Sequence, residues 1–585
     1  MKRLSYIIML VLLGGMSSLF SSCGDFLDQE SERVIDAGKD HLNNATDTLY
    51  SVIGIMNKMQ ALADRTILLG ELRGDLVDVR SNTSADLRDI ANFNVQSDNQ
   101  YNSPRDYYAV INNCNYFLAK ADTALKNNRN EYIFRKEYAA VKAFRAWTYL
   151  QLVLNYGKVP FVIEPILNKD DADKTYETKD IKEVCNYFIN DIAPYADVET
   201  PTYGTIRGTD SKLMYFPIYI LMGDLNLWAG NYREAALNYY KYISTRNGRN
   251  SAYPISTSRI AWAQNDSKWM MKQDSWGGDF QSESSSAQEE LITMIPGDSI
   301  PAEGNYSKLR GYFNSAQNDD YQVSIVTSKA LRELSKAQKY CHLNSANEVM
   351  YAPTNLTGDQ NGDLRLSTIV VERDGYHGGN VNTDGFFAAN MKYVTRNVHI
   401  YRRTMVYLRM AEALNRAGFP RFAFAILKTG VNNSVMEDDI LPNYPEDEAY
   451  LKQFDFPTAQ YKLRTKAGNS DENTIGIHSH GSGWSELNDY YVYPEADNLE
   501  AEENAVEDLI MDEDALEFAF EGTRFYDLMR VALRRNDPSY LANKVYARRG
   551  ADNTAEVKSL ISVDLNNTSN WYLDWNGQLG MNVSK

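Results

Sequence analysis

Several groups of side chains in this sequence are spaced as binding or catalytic chemistry would need them. Trp262, Trp269 and Trp276 recur at intervals of seven in a stretch otherwise rich in Gln, Asn, Asp, Ser and Lys. Indole faces stack on the C–H face of a sugar ring, leaving Asn, Asp and Arg to read the hydroxyls. Whether this stretch is helical or extended, the three rings fall in a polar segment; the competing use of any one of them is to dock that segment on the body of the protein. Tyr306 and Tyr312, on the next polar stretch, are candidates of the same kind. Glu517 and Glu521 fall on one helical face, and a glycosidase uses two carboxylates about 5 to 10 Å apart. Arg524 follows at three spacing, however, and a structural ion pair explains the acids more simply than hydrolysis does.

Two further clusters could hold a metal. His478 and His480 stand together in a Ser- and Gly-rich loop, but no HExxH motif accompanies them, so an exposed polar loop is expected. Asp359, Asn361 and Asp363 place oxygens at alternate positions, as a calcium loop does. Leu364 occupies the place where an EF-hand needs glycine and Val370 the place of its bidentate glutamate, so that motif fails. A looser calcium site at Asp359, Asn361 and Asp363 stays open, and no other cofactor is expected. The sequence carries no Walker loop, no Rossmann glycine fingerprint and no GxSxG elbow, so nothing in it demands an enzyme.

Cys23 has a different chemistry. Lys2 and Arg3, an apolar run from Tyr6 to Leu13, and Phe20-Ser21-Ser22-Cys23 form an export signal that ends on a thiol, the pattern of a lipobox. The apolar run is too short to span a bilayer comfortably. The expectation is a signal peptide over 1–22, a mature start at Cys23 carrying two or three acyl chains, and a lipidated acidic tether over 23–40.

Composition sets the frame. The chain has 585 residues, of which 43% are hydrophobic and 12% aromatic, with 40 Tyr and 8 Trp, enough for a large core. A formal net charge of −18 repels phosphate backbones, which excludes nucleic acid as a natural partner. Besides Cys23 the thiols are Cys114, Cys185 and Cys341, too few and too widely spaced for a disulfide framework; buried small hydrophobes are expected.

The elements that must position these residues are mostly helical. Apolar residues at three and four spacing predict helices over 43–63, 104–126 and 131–155, the last stopped by Gly157 and followed by extended Lys158-Val159-Pro160. Residues 211–245 predict two helices meeting at Ala229-Gly230-Asn231-Tyr232, a spacing similar to a tetratricopeptide hairpin, and 400–430 predict a second copy. The fold class expected is therefore mostly α: tetratricopeptide-like helical hairpins as scaffold over about 43–245 and 400–430, a large irregular loop-rich subdomain, and minor β. The loop-rich insertions, about 246–395 and 435–500, are where a ligand is to be sought. A C-terminal helix over about 510–535 closes a single body spanning 41–585, with Gly522 in its middle explained by a close backbone contact.

Four segments together resemble the SusD/RagB family, the surface lipoproteins that work with TonB-dependent outer-membrane transporters in Bacteroidota. They are Cys23-Gly-Asp-Phe-Leu-Asp28, Arg145-Ala-Trp147 through Tyr156-Gly-Lys-Val-Pro160, Tyr407-Leu-Arg-Met-Ala-Glu-Ala-Leu414, and Glu517-Phe-Ala-Phe-Glu-Gly-Thr-Arg-Phe-Tyr-Asp-Leu-Met-Arg530. One departure is Asp514, where the family usually places arginine, which puts one surface pairing in doubt. The resemblance implies a non-catalytic, glycan-binding lipoprotein of the outer membrane, anchored through Cys23, facing the exterior and delivering its ligand to a SusC-like transporter. It also directs attention to the loop after the second helix, where Asp78, Arg80, Asn82 and Asn94 are candidates by location. A peptide-binding lipoprotein of the same architecture, and a surface hydrolase using Glu517 and Glu521, are the alternatives.

Overall fold

The structure, a computed structural model, describes residues 42 and 45–583 apart from 207, 245–254, 256–257, 266–267, 281–289, 298–305, 315–322, 345, 347, 352–361, 378–379, 457–462, 466–467, 471–474 and 576–577. Cys23, the signal and tether segments, Asp359 and Asn361 lie outside the described residues. Among those described, no helix is long and apolar enough to cross a membrane.

The elements that matter here are, in chain order, α1 (Ala45–Glu71), β1 (Val77–Val79), α2 (Pro104–Lys120), α3 (Arg135–Tyr156), β2 (Lys158–Pro160), α4 (Ile218–Ala229), α5 (Tyr232–Ser244), and the hairpin β3 (Ile260–Asn265) and β4 (Lys268–Asp274). There follow β5 (Leu291–Ile295), β6 (Ile325–Thr327), the hairpin β7 (Val370–His377) and β8 (Asn380–Asn390), β9 (Val398–Arg402), α6 (Arg403–Arg416), α7 (Pro420–Lys428), α8 (Leu499–Phe518) and α9 (Arg524–Arg534). The architecture is mostly α with small two-stranded sheets, as the periodicity predicts. Three helical hairpins, α2–α3, α4–α5 and α6–α7, form the scaffold, and α6 sits at its centre, packed on α5, α7 and α8. The hairpin turns lie where the sequence puts them: α3 ends at Gly157, and Gly230 caps α4 in the left-handed region at φ 86°.

Apolar burial builds the scaffold and buried ion pairs fix how its helices sit. Asp224 on α4 accepts hydrogen bonds from Tyr239 of α5 (2.7 Å), Tyr401 (2.6 Å) and Arg409 of α6 (2.7 Å), tying two hairpins through one carboxylate. Glu412 on α6 accepts from Arg530 (2.6 and 2.8 Å) and Arg534 (3.0 Å) of α9. Burial alone would push the Glu412 carboxyl up; the two guanidiniums outweigh it and hold it at about 2. Cys114, Cys185 and Cys341 are fully buried, as expected, and burial pushes the Cys114 thiol up to about 12.

The C-terminal segment differs from the single helix predicted over 510–535. The helix α8 stops at Phe518, residues 519–523 turn, and α9 begins at Arg524. Phe520 and Gly522 both have positive φ, 73° and 81°. The cause is tertiary: α1 crosses at this turn so closely that a Cβ on Gly70 would stand 1.7 Å from the Gly522 carbonyl oxygen, and one on Gly522 would stand 2.6 Å from that of Thr66. The close backbone contact expected for Gly522 is present, at a break and not within a helix. Asp514, expected at the surface, is buried at 6% exposure. Burial first, and then the charges of Asp527 and Glu412, push its carboxyl well up.

Candidate functional site

The residues chosen from the sequence divide into those the fold consumes and those it leaves at a cleft. Trp276 belongs to the first group. It is 1% exposed, packs edge-on against Phe280, and donates its indole N–H to Glu517 at 3.0 Å. The docking use, not the platform use, is the one realised. Trp262 and Trp269 lie on the β3–β4 hairpin, where Trp262 pairs with Met271 and Trp269 with Gln264. A hairpin replaces the helix on which a spacing of seven would have aligned the three rings.

Glu517 and Glu521 are also consumed. Arg365 donates to Glu513 (2.6 Å) and Glu517 (2.7 Å), and Arg402 donates to Glu517 (2.7 Å) and to both oxygens of Glu521 (2.8 and 2.9 Å). Lys392 adds a third cation at 2.5 Å from Glu521. Burial would raise the Glu517 carboxyl, but Arg402, His480 and Arg365 together outweigh it and hold it well below the usual range. A fully buried, permanently ionised carboxylate with both oxygens engaged has neither the access nor the proton of a general acid.

The histidine loop was read from its composition as solvent-exposed, and the structure corrects this. His478 and His480 are buried, with Nδ1 of each 2.8 Å from Glu513 and 3.2 Å from Glu517 respectively. The loop runs so close to its neighbours that a Cβ on Gly481 would stand 2.0 Å from the Asp363 carboxylate. Asp363, the described member of the calcium candidate, is itself fully buried and accepts from Arg365 (2.8 and 3.0 Å) and Ser482 (2.9 Å). These bonds leave the Asp363 carboxylate committed to the fold. No group of three or more His, Cys, Asp or Glu among the described residues could hold a metal ion.

The second group gathers beyond the end of α1. The strand β1 pairs antiparallel with β6, Asp78 opposite Val326 and Val79 opposite Ile325. This pairing carries the chain to Arg80, whose amide donates to Thr83 Oγ1 at 2.9 Å, closing a turn that leaves Asn82 exposed. Asp78, next to it, ion-pairs with Arg549, with Arg548 at 3.5 Å, so it holds the strand to the C-terminal region and is not a free ligand group. Arg80 instead lines a cleft of about 180 Å³ with Phe313, Ile325, Thr327, Arg332, Val370, Asn390 and Phe520. Its floor is rigid: Phe313 stacks on Tyr393 at 4.7 Å and 12° and meets Phe520 edge-on at 5.7 Å. Nη1 of Arg80 and the Thr327 hydroxyl are buried and make no hydrogen bond.

The tyrosines stand beside this cleft. Tyr312 precedes Phe313; its hydroxyl shares a hydrogen bond with that of Tyr101 at 3.0 Å, and its carbonyl accepts from Ser324, next to β6. One face of Tyr306 is covered by Arg396 at 3.7 Å. Burial first, and then the charge of Arg396, holds the Arg310 guanidinium below its usual range. Asn94 is exposed and accepts from Gln96. Sequence reasoning thus reached Arg80 and Tyr312 but missed Phe313, Thr327, Asn390 and Phe520. Those four belong to four separate segments, and no local spacing could have joined them.

The architecture that carries this cleft, stacked helical hairpins with a loop-rich half, is that of solved SusD-superfamily structures. One from Bacteroides vulgatus ATCC 8482 is 14% identical, with 93% of this chain and 99% of that chain covered and a TM-score of 0.57. Another, from Bacteroides thetaiotaomicron VPI-5482, is 17% identical, with 90% and 99% covered and a TM-score of 0.53. A laminarin binding SusD-like protein is 16% identical, with 93% and 99% covered and a TM-score of 0.51. At these identities the likeness is one of fold. No curated protein sequence matches the chain. The sequence model of the SusD family matches residues 388–573, a stretch that holds the buried acids of α8 and the central helix α6. The model match over residues 388–573 and the shared fold support the SusD/RagB resemblance that the sequence carries.

Proposed function

We propose that this protein is a non-catalytic, glycan-binding lipoprotein of the outer-membrane surface, which captures a poly- or oligosaccharide and passes it to a TonB-dependent transporter. The observation that carries the reading is the Arg80 cleft. Phe313 and Phe520, each 2% exposed, form a rigid floor, Nη1 of Arg80 and the Thr327 hydroxyl are buried in its wall without a hydrogen bond, and Glu517 and Glu521 are locked away in the fold. A solved neighbour of the same fold binds laminarin, which supports a carbohydrate ligand. Asn82, Asn94, Tyr306 and Tyr312 would form the surrounding rim, with Trp262 and Trp269 on a separate hairpin. In this reading residues 1–22 are removed on export, Cys23 is lipidated, and 23–40 tether the body to the membrane.

The test is electrophoresis through gels containing single polysaccharides, with reducing ends assayed in parallel. Retardation by at least one polysaccharide, without release of reducing ends, is expected. Release of ends that is lost in Glu521→Gln would favour the hydrolase; binding to extended peptides with no polysaccharide bound would favour peptide capture.

A further inference from the structure

We infer that the Arg80 cleft takes an acidic sugar, held by its carboxylate or sulfate group; the inference rests on the glycan-binding reading above and narrows it. Nη1 of Arg80 is buried without a hydrogen-bond partner, and so is the hydroxyl of Thr327, which is 8% exposed overall. Both line the same cleft, across the β1–β6 pairing. A buried polar group left unpaired costs about 1–3 kcal/mol, and more when charged, and two such groups lining one cleft are both completed by a ligand that brings acceptor oxygens.

The charge of the ligand follows from what surrounds those atoms. No Asp or Glu is among the described residues that line the cleft, whereas Arg332 adds a second guanidinium to the wall. Elsewhere in this acidic protein the buried guanidiniums of Arg365, Arg402 and Arg530 each meet carboxylates within 2.8 Å. Arg80 is placed among apolar and neutral side chains and the guanidinium of Arg332 instead. A neutral hydroxyl can accept one N–H but leaves the charge unbalanced, while a carboxylate or sulfate accepts two and neutralises it. At an effective dielectric of about 20 an opposite charge at 4 Å contributes about 4 kcal/mol. The net charge of −18 does not cancel this attraction, because exposed charges beyond about 8 Å are screened at physiological salt.

Size sets the rest. At about 180 Å³ the cleft is smaller than the roughly 300–1,000 Å³ of drug-sized sites. It therefore holds one ring of a glycan, with its acid towards Arg80 and its apolar side against the edges of Phe313 and Phe520, and the remainder of the chain extends past Tyr312.

The test compares polymers that differ in charge. Full-length protein without its lipid is run through gels containing polygalacturonate, dextran sulfate or neutral dextran and laminarin, as wild type, Arg80→Gln, Arg80→Lys and Phe313→Ala, each first shown to melt cooperatively. Retardation by polygalacturonate or by dextran sulfate is expected, distinguishing carboxylate from sulfate. It should weaken at least ten-fold in Arg80→Gln and be largely retained in Arg80→Lys. Retardation by a neutral polymer that Phe313→Ala abolishes and Arg80→Gln leaves unchanged would overturn the acidic ligand and leave the glycan reading standing. Retardation by none of these polymers would overturn the acidic ligand, and binding of extended peptides in its place would overturn the glycan reading too.

Discussion

At the scale of single residues, the buried acids make opposite uses of pH. Glu71 ends α1, accepts the Gly522 amide at 2.8 Å, and has its other oxygen buried without a partner. Burial pushes its carboxyl up to about 7, against the pull of the Gly522 and Phe520 amides. Between about 4.5 and about 7 the folded chain keeps a proton that the unfolded chain has released, so this group's contribution to stability falls as pH rises through that window. At pH 8 the cost is roughly 3 kcal/mol. Glu412 runs the other way: its contribution is complete above about 4.5 and is lost as pH falls towards about 2, outside the Glu71 window. Glu71→Gln keeps the acceptor for Gly522 and removes the titration. Chemical unfolding at pH 5 and pH 8 should show the variant level with wild type at the lower pH and more stable at the higher; the same difference at both would sink the idea. Little of this was legible. His478 and His480 sit in a run that reads as solvent-facing because the Glu513 and Glu517 that receive them are on α8 and the Arg365 between them is more than a hundred residues away. Trp276 was legible as a large ring but not as a core ring, since its partner Glu517 is equally remote.

Among elements, those whose partners are near in sequence were the legible ones. The hairpins α2–α3, α4–α5 and α6–α7 follow from apolar spacing and from glycine at the turns, because each buries its face against the next helix along the chain. The break between α8 and α9 did not follow. Every residue from Glu517 to Arg530 suits a helix, and glycine within one costs only about 1 kcal/mol, so local propensity does not reveal a turn imposed by α1 from across the molecule. The same distance hides the cleft, whose walls come from β1, β6, β7, β8 and the 519–523 turn. The crossing itself makes a prediction. Gly522→Ala puts a side chain at φ 81° and its Cβ against Thr66. Left-handed geometry alone costs about 1–2 kcal/mol and overpacking about 1–3 more. A melting temperature clearly below wild type is expected by calorimetry; an unchanged melt would mean that α1 and the turn are not tightly apposed.

For the whole molecule, the export signal and the scaffold belong to one reading, in which a lipid at Cys23 carries a large acidic body on a short tether. Cys23→Ala should abolish palmitate labelling and move the protein from the membrane fraction to the soluble one, while wild type extracted in mild detergent should bring a TonB-dependent barrel with it. Palmitate labelling that survives the substitution would remove the anchor from the account. The three thiols of the body add a consequence of their own. Cys114, Cys185 and Cys341 are all at 0% exposure, and a buried thiol pushed up to about 12, as Cys114 is, offers almost no thiolate to an oxidant. Thiols buried this way give a thiol oxidase nothing to act on in the folded body. Its cohesion comes from burial, hydrogen bonds and ion pairs, none of which changes with the redox state of the surroundings.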